Sequence, residues 1–297
     1  SILEEVNPDV VYANSLFSPR FTILPLAAIR RMAPEARIVL APRGELNDAA
    51  IQHHALRKAA YLRLFRMSGG ADGVEYQATN QGEVHQIRSK LSRSATVHLV
   101  RNLSAPPDRV PASLEKAPGD LRLVFLGRVL PHKNLHLALE SLQGVEGPIQ
   151  VDVVGPLQDA AYVRRCRRLA EQLAPTVTVR WHGGVEHDRA VALLRSGHML
   201  VLPTSGENHG HAVAEALGVG RPVLISDRTP WRGLAERRAG WDLPLEGGVG
   251  PFREALGEAV DWDQHEFDDR AISALAFASG ARRQQTKREM LAMFGGE

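Results

Sequence analysis

Cysteine is nearly absent: Cys166 stands alone in 297 residues, which excludes an internal disulfide framework and any cysteine-rich zinc module. Long apolar runs are missing too. The stretch from Met199 to Pro203 with its neighbours falls far short of the roughly 20 residues that span a bilayer. Nor is there an excess of one charge: 36 Lys and Arg against 34 Asp and Glu leave +2. That balance is unlike a protein that holds nucleic acid by bulk electrostatics, so no nucleic-acid partner is expected. No strand end carries Gly-x-Gly-x-x-Gly, which speaks against a nicotinamide dehydrogenase. No Gly-x-Ser-x-Gly occurs either, which weakens a hydrolase reading.

What is present is an ordinary globular balance, 44% hydrophobic and 24% charged residues, over a length that suits two domains or one large one. Short runs rich in Val, Ile and Leu recur at 9–13, 37–41, 73–78, 96–100, 121–126, 149–154, 177–181, 199–202 and 222–225. Most lack polar alternation, as strands buried on both faces do. Helical patterns lie between them at 21–32, 55–67, 81–91, 135–142, 160–174 and 189–196. The alternation predicts α/β units with parallel sheets. Pro106, Pro107, Pro111 and Pro118 break a polar, aperiodic stretch that reads as a linker over 106–120. Domains are therefore expected at 1–105, with about four strands, and at 121–297, with at least five. Ligands in such folds bind outside the carboxyl ends of the strands.

Two segments carry chemistry. In the first, the strand at 121–126 runs into Gly127 and Arg128, with Lys133 and Asn134 just before the next helix. Glycine allows close backbone approach, Arg offers a planar fork for phosphate oxygens, and Lys a mobile point charge. Such a pair suits a diphosphate whose charge grows as it leaves. Taken alone, the pair reads as two basic residues at a surface turn. In the second, the strand at 199–202 ends in Pro-Thr-Ser-Gly-Glu-Asn-His-Gly-His, and a helix starts near Gly210 or His211. The free N–H groups and dipole at that start favour an anion. Glu207 and Glu215 flank it; beside an anion site they suit sugar or ribose hydroxyls. From spacing alone they read as two solvated carboxylates.

Together these segments resemble the GT-B fold glycosyltransferases, specifically the retaining group called glycosyltransferase family 4. The Gly127-Arg128 and Lys133-Asn134 loop, the Glu207-to-Glu215 spacing, the Gly220-Arg-Pro-Val strand start and Ile225-Ser-Asp-Arg-Thr-Pro-Trp-Arg follow in order. Ala41-Pro-Arg-Gly-Glu-Leu and Ala78-Thr-Asn-Gln-Gly-Glu extend the likeness upstream. The resemblance implies two Rossmann-like doubly wound domains facing a cleft, the first on the acceptor side and the second holding a nucleotide-diphosphate sugar. Arg128 and Lys133 would contact the diphosphate, Glu207 the transferred sugar and Glu215 the ribose, with Gly127, Asn134, Gly210 and His211 shaping the donor site. No metal or other cofactor is implied. The acceptor would be a glycan or lipid-linked, and the protein cytoplasmic, with peripheral contact at the inner face of the membrane.

The sequence departs from that pattern in two places. His209 stands where the family has an aromatic residue, two positions after the first Glu. The opening strand and glycine-rich loop of the first domain do not occur before Asp9, so that domain is expected to be incomplete. Both departures motivate an alternative: a non-catalytic nucleotide-sugar-binding or scaffolding subunit. His209 and His211 lack a third ligand at zinc-site spacing. Arg164, Arg165, Arg167 and Arg168 around Cys166 could lower its thiol pKa, or belong to a solvated face over a buried thiol. His53, His54, Arg57, Lys58, Arg63 and Arg66 interleave with Leu56, Tyr61, Leu62, Leu64 and Phe65. That pattern fits a basic amphipathic helix, resting on an anionic membrane or simply packed on the sheet.

Overall fold

The computed structural model describes residues 2–47, 51, 55–102, 106–279 and 282–295; His53 and His54 lie outside them. The chain forms two compact units, Ser1–Leu103 with Gln284–Glu297, and Ser104–Arg283.

In the first unit, β1 (Val10–Asn14), β2 (Arg37–Ala41), β3 (Val74–Ala78) and β4 (Val97–Leu99) form a parallel sheet in that order. A short helix, α1 (Ile2–Val6), precedes it, and α2 (Leu24–Met32), α3 (Ala55–Met67) and α4 (Gln81–Lys90) connect the strands. Successive strand side chains face opposite ways. Ile38 and Leu40 join Leu26, Ile29, Leu62 and Phe65, whereas Val39 packs with Val100 and Met293. Met293 belongs to α11 (Arg282–Phe294), which corrects the assignment of everything up to residue 297 to the second domain. A parallel sheet needs both faces covered, and this helix covers the Val39 face. Arg37 donates to the Met293 carbonyl at 3.2 Å, and the rings of Tyr12 and Phe294 meet edge-on at 5.5 Å.

The second unit holds β5 (Leu121–Leu126), β6 (Ile149–Val154), β7 (Val177–Gly183), β8 (Met199–Leu202), β9 (Val223–Ser226) and β10 (Gly240–Leu243). They form one parallel sheet ordered β10-β9-β8-β5-β6-β7. Its helices are α5 (Leu135–Ser141), α6 (Ala160–Glu171), α7 (His187–Ser196), α8 (His211–Gly218), α9 (Val249–Asp261) and α10 (Gln264–Ser279). From β5 the chain winds outward through β6 and β7, then returns to β8 on the other side of β5. The carboxyl ends of β5 and β8 thus flank the point where winding reverses, the usual ligand position in such sheets.

Residues 106–120 are a strap on this unit rather than a free linker. Proline denies them helix or sheet, so backbone and side chains of the unit hold them: the Asp108 and Gly119 N–H groups donate to the Gly218 and Val260 carbonyls at 2.8 and 2.9 Å. Arg221, fully buried, donates to the Ala112 carbonyl at 2.9 Å; buried Lys116 donates to the carbonyls of Val260 and Trp262 at 2.9 and 2.8 Å. Arg195 grips Asp108 through both carboxylate oxygens, at 3.0 and 2.8 Å. Cys166 is buried in α6, and burial pushes its thiol up, outweighing Tyr162 and Arg165. The activated-thiol alternative therefore does not hold.

His198 completes the strap. It is fully buried, accepts from the Arg122 N–H at Nδ1 (3.0 Å) and donates from Nε2 to the Glu115 carbonyl at 2.9 Å. Burial pulls its pKa down to about 4. The unfolded chain binds this proton near pH 6.5, so the neutral ring's contribution is complete above that pH. It is lost as pH falls from 6.5 towards 4, by about 3 kcal/mol in all. Urea unfolding across this range should show that slope in the wild type and a flatter one in His198→Gln. Equal slopes would contradict it.

Candidate functional site

β5 ends at Gly127, whose φ of +157° lies where glycine is at ease. The backbone of this bend presses on the end of β6: a Cβ on Gly155 would sit 2.1 Å from the Gly127 carbonyl oxygen. The Gly127 N–H meets the Val154 carbonyl at 2.9 Å, and the Val129 N–H meets Pro156 at 3.0 Å. Arg128 therefore projects from a fixed bend, and it is exposed. A single 3₁₀ turn, Pro131–Lys133, follows, and Asn134 takes a left-handed conformation (φ 52°) at the start of α5.

The loop after β8 is sewn to this turn. Asn134 donates to the Pro203 carbonyl at 2.8 Å and to Ser205 Oγ at 3.0 Å, and the Ser205 N–H donates to the His132 carbonyl at 2.7 Å. The result is a direct ion pair between Lys133 Nζ and Glu207 Oε1, with side chains only 14% and 15% exposed. Both charged groups are thus held at the reversal point of the sheet. Half-burial, helped by Lys133 and Arg128, holds the His132 imidazole below its ordinary pKa.

Gly210 caps α8 with φ 73°, and His211 is its exposed first residue. Beside them stands Trp231, which spacing did not single out as a site residue. Its indole N–H donates to the His209 carbonyl at 2.6 Å, and a Cβ on Gly210 would lie 3.0 Å from that nitrogen. The only signal for Trp231 was its place in the Thr-Pro-Trp-Arg loop. The rings of His209 and His211 lie 4.6 Å apart; among the described residues no group of three His, Cys, Asp or Glu side chains converges. Glu215 sits a turn further along α8, 4.0 Å from His187, in a pocket of about 280 Å³ also lined by Asp108 and Arg195. Burial lifts its carboxyl above the ordinary value, opposed by His187 and His211. The structure thus brings Lys133, Asn134 and Glu207 into contact, sets Gly127 and Gly210 as backbone bends, leaves Arg128 and His211 exposed, and gives Glu215 a separate partner.

Two parallel-sheet α/β units, the first wound in one direction and the second with this reversal, have the GT-B fold of their structural neighbours. Residues 108–237 match the family described as Glycosyl transferases group 1. D-rhamnosyltransferase WbpZ of Pseudomonas aeruginosa is 28% identical over 106 residues, which are 35% of this chain and 26% of that protein. The chain therefore spans about a quarter of the curated relative it matches. Among solved structures, Anabaena HepE in complex with UDP and glucose superposes with a TM-score of 0.70 at 15% identity, over 98% of this chain and 80% of that one. The lipopolysaccharide outer core galactosyltransferase WaaB gives 0.62 at 17% identity, over 98% and 77%. At such identities the structural likeness establishes fold. Among the described residues no helix is long and apolar enough to cross a membrane.

Proposed function

We propose that the chain is a retaining glycosyltransferase that moves a sugar from a nucleotide-diphosphate donor to a glycan or lipid-linked acceptor, without a metal. The observation that carries this reading is the Lys133–Glu207 pair at the reversal point of the second sheet, beside exposed Arg128 and the N-terminus of α8. A donor diphosphate there draws Lys133 and Arg128 to its oxygens and frees Glu207 to accept from sugar hydroxyls. As the bond between the anomeric carbon and the diphosphate oxygen breaks, the two cations and the α8 N–H groups stabilise the growing charge. The acceptor oxygen bonds to the same face of the sugar, and its proton passes to the departing phosphate. Neither carboxylate attacks carbon, unlike the paired carboxylates of glycoside hydrolysis. Glu215 takes the ribose hydroxyls. Support also comes from the group 1 match over 108–237 and from the nucleotide-sugar complexes among the structural neighbours. Incubation with UDP-, GDP- and ADP-sugars and candidate acceptors, with the product's anomeric configuration read by NMR, tests it. Inversion would remove the retaining mechanism. Donor binding without transfer or donor hydrolysis would leave the non-catalytic subunit.

Peripheral membrane contact is part of the proposal and rests on α3. Leu62 and Phe65 bury one side of this helix, while Leu56, Leu64 and Met67 are 88%, 65% and 75% exposed. With Ala60 they recur every three or four residues, so the helix carries a second apolar stripe on the face away from the core. This is a different pattern from the single-faced amphipathic helix expected from the sequence. Arg57, Arg63 and Arg66 flank the stripe, a combination suited to an anionic bilayer. Cosedimentation with vesicles containing phosphatidylglycerol should fall several-fold in Leu56→Ser with Leu64→Ser; undiminished binding would remove the contact.

A further inference from the structure

The loops at the carboxyl end of the first sheet contain a cation that the site above does not use. Arg43 follows β2 with a φ of +56°, and Ser15 follows β1 with +72°, both conformations uncommon for residues with a side chain. Two carboxylates hold these loops. Glu45 accepts from Ser15 Oγ at 2.8 Å and from the Phe17 N–H at 3.2 Å. Glu83, 1% exposed, accepts from the Gly44 N–H at 2.7 Å and from both the N–H and hydroxyl of Thr79 at 2.8 Å. The acids are thereby committed to backbone and hydroxyl donors. Arg43 is not neutralised by them: it donates to Asn14 Oδ1 at 2.9 Å, to Tyr12 Oη at 2.7 Å and to Asn102 Oδ1. All three partners are neutral, and among the described residues no carboxylate pairs with it. Tyr12 is itself held through its hydroxyl by Gln77.

A guanidinium has five N–H groups, and three are engaged here. One remains on each terminal nitrogen, on an exposed side chain whose orientation is already fixed. A planar fork held by neutral partners, with full charge and two donors to spare, matches an anion offering two oxygens. It stands outside the carboxyl ends of parallel strands, where ligands of such sheets bind. We propose that Arg43 forms a subsite for an anionic group, phosphate or carboxylate, on the acceptor substrate. The word acceptor rests on the reading of the first unit as the acceptor side; the anion site itself does not.

The test is an NMR titration of the full chain at constant ionic strength, reading the Arg43 Nε–H and the Gly44 N–H against inorganic phosphate and, separately, acetate. Saturable shifts are expected, with half-saturation on the order of millimolar. A phosphate response with acetate silent assigns a phosphorylated acceptor, and an acetate response a carboxylated one. Arg43→Lys, which keeps the charge but loses the fork, should need about tenfold more anion to shift Gly44. Linear shifts with both anions, no steeper than those of exposed Arg20, would overturn the subsite. So would an undiminished response in Arg43→Lys. UDP binding, followed by thermal shift on the same samples, separates the two ideas: UDP binding without saturation at Arg43 defeats only the subsite.

Discussion

Lys133→Met is expected to lower kcat/KM about 10²–10³-fold while leaving the fold intact, the usual effect of removing one preorganised charge from a leaving group. Two losses combine in it. The diphosphate loses a cation, and Glu207, 15% exposed, is left in its place without a charged partner, which is costly for a carboxylate largely out of water. The double variant Lys133→Met with Glu207→Gln therefore separates them. It should recover stability relative to Lys133→Met but not turnover. If the double variant regained activity, the lysine would serve only to neutralise Glu207.

A large loss of stability is expected from Gly155→Ala. The added Cβ would stand 2.1 Å from the Gly127 carbonyl oxygen, with φ at +138°. The obstructing atom is backbone, so no side-chain rotation relieves it. Either the end of β6 or the Gly127–Arg128 bend must move. Destabilisation of about 2–4 kcal/mol is expected, combining overpacking with backbone strain. Because the displaced bend carries Arg128, affinity for UDP should fall as well. Urea unfolding and calorimetry on the same protein measure both, and a Gly155→Ala variant of wild-type stability would contradict this packing. Gly73, whose φ is +66° but where a Cβ meets nothing within 4 Å, should respond more mildly to alanine.

The strands were legible because parallel sheets buried on both faces leave uninterrupted Val, Ile and Leu runs: 121–126 and 149–154 are strands to the residue. β10 was not, since Gly240-Trp-Asp-Leu is short and mixed. The helices after residue 248 were missed, and the last of them, α11, returns to the first sheet. Return of a segment across the chain depends on which sheet face lacks cover, a tertiary fact that local periodicity does not contain. The site followed the same rule. Gly127, Lys133, Glu207 and Gly210 stand out from residue type and place in a loop, and the structure adds the contact between Lys133 and Glu207 across 74 residues of chain. Gly155 and Trp231 escaped because each acts by touching another loop. Nothing in their immediate neighbours states which loop that is. Arg43 lies in the Ala41-Pro-Arg-Gly-Glu-Leu segment, but its value as a cation appears only once its partners prove neutral.

Calorimetric titration of the intact chain with UDP, GDP and ADP tests directly whether the loops after β5 and β8 bind a nucleoside diphosphate. Saturable one-to-one binding of at least one of them is predicted, weakened about tenfold or more in Lys133→Met and in Glu215→Ala. No binding of any of the three nucleotides by the folded wild type, or wild-type affinity in both variants, would contradict it.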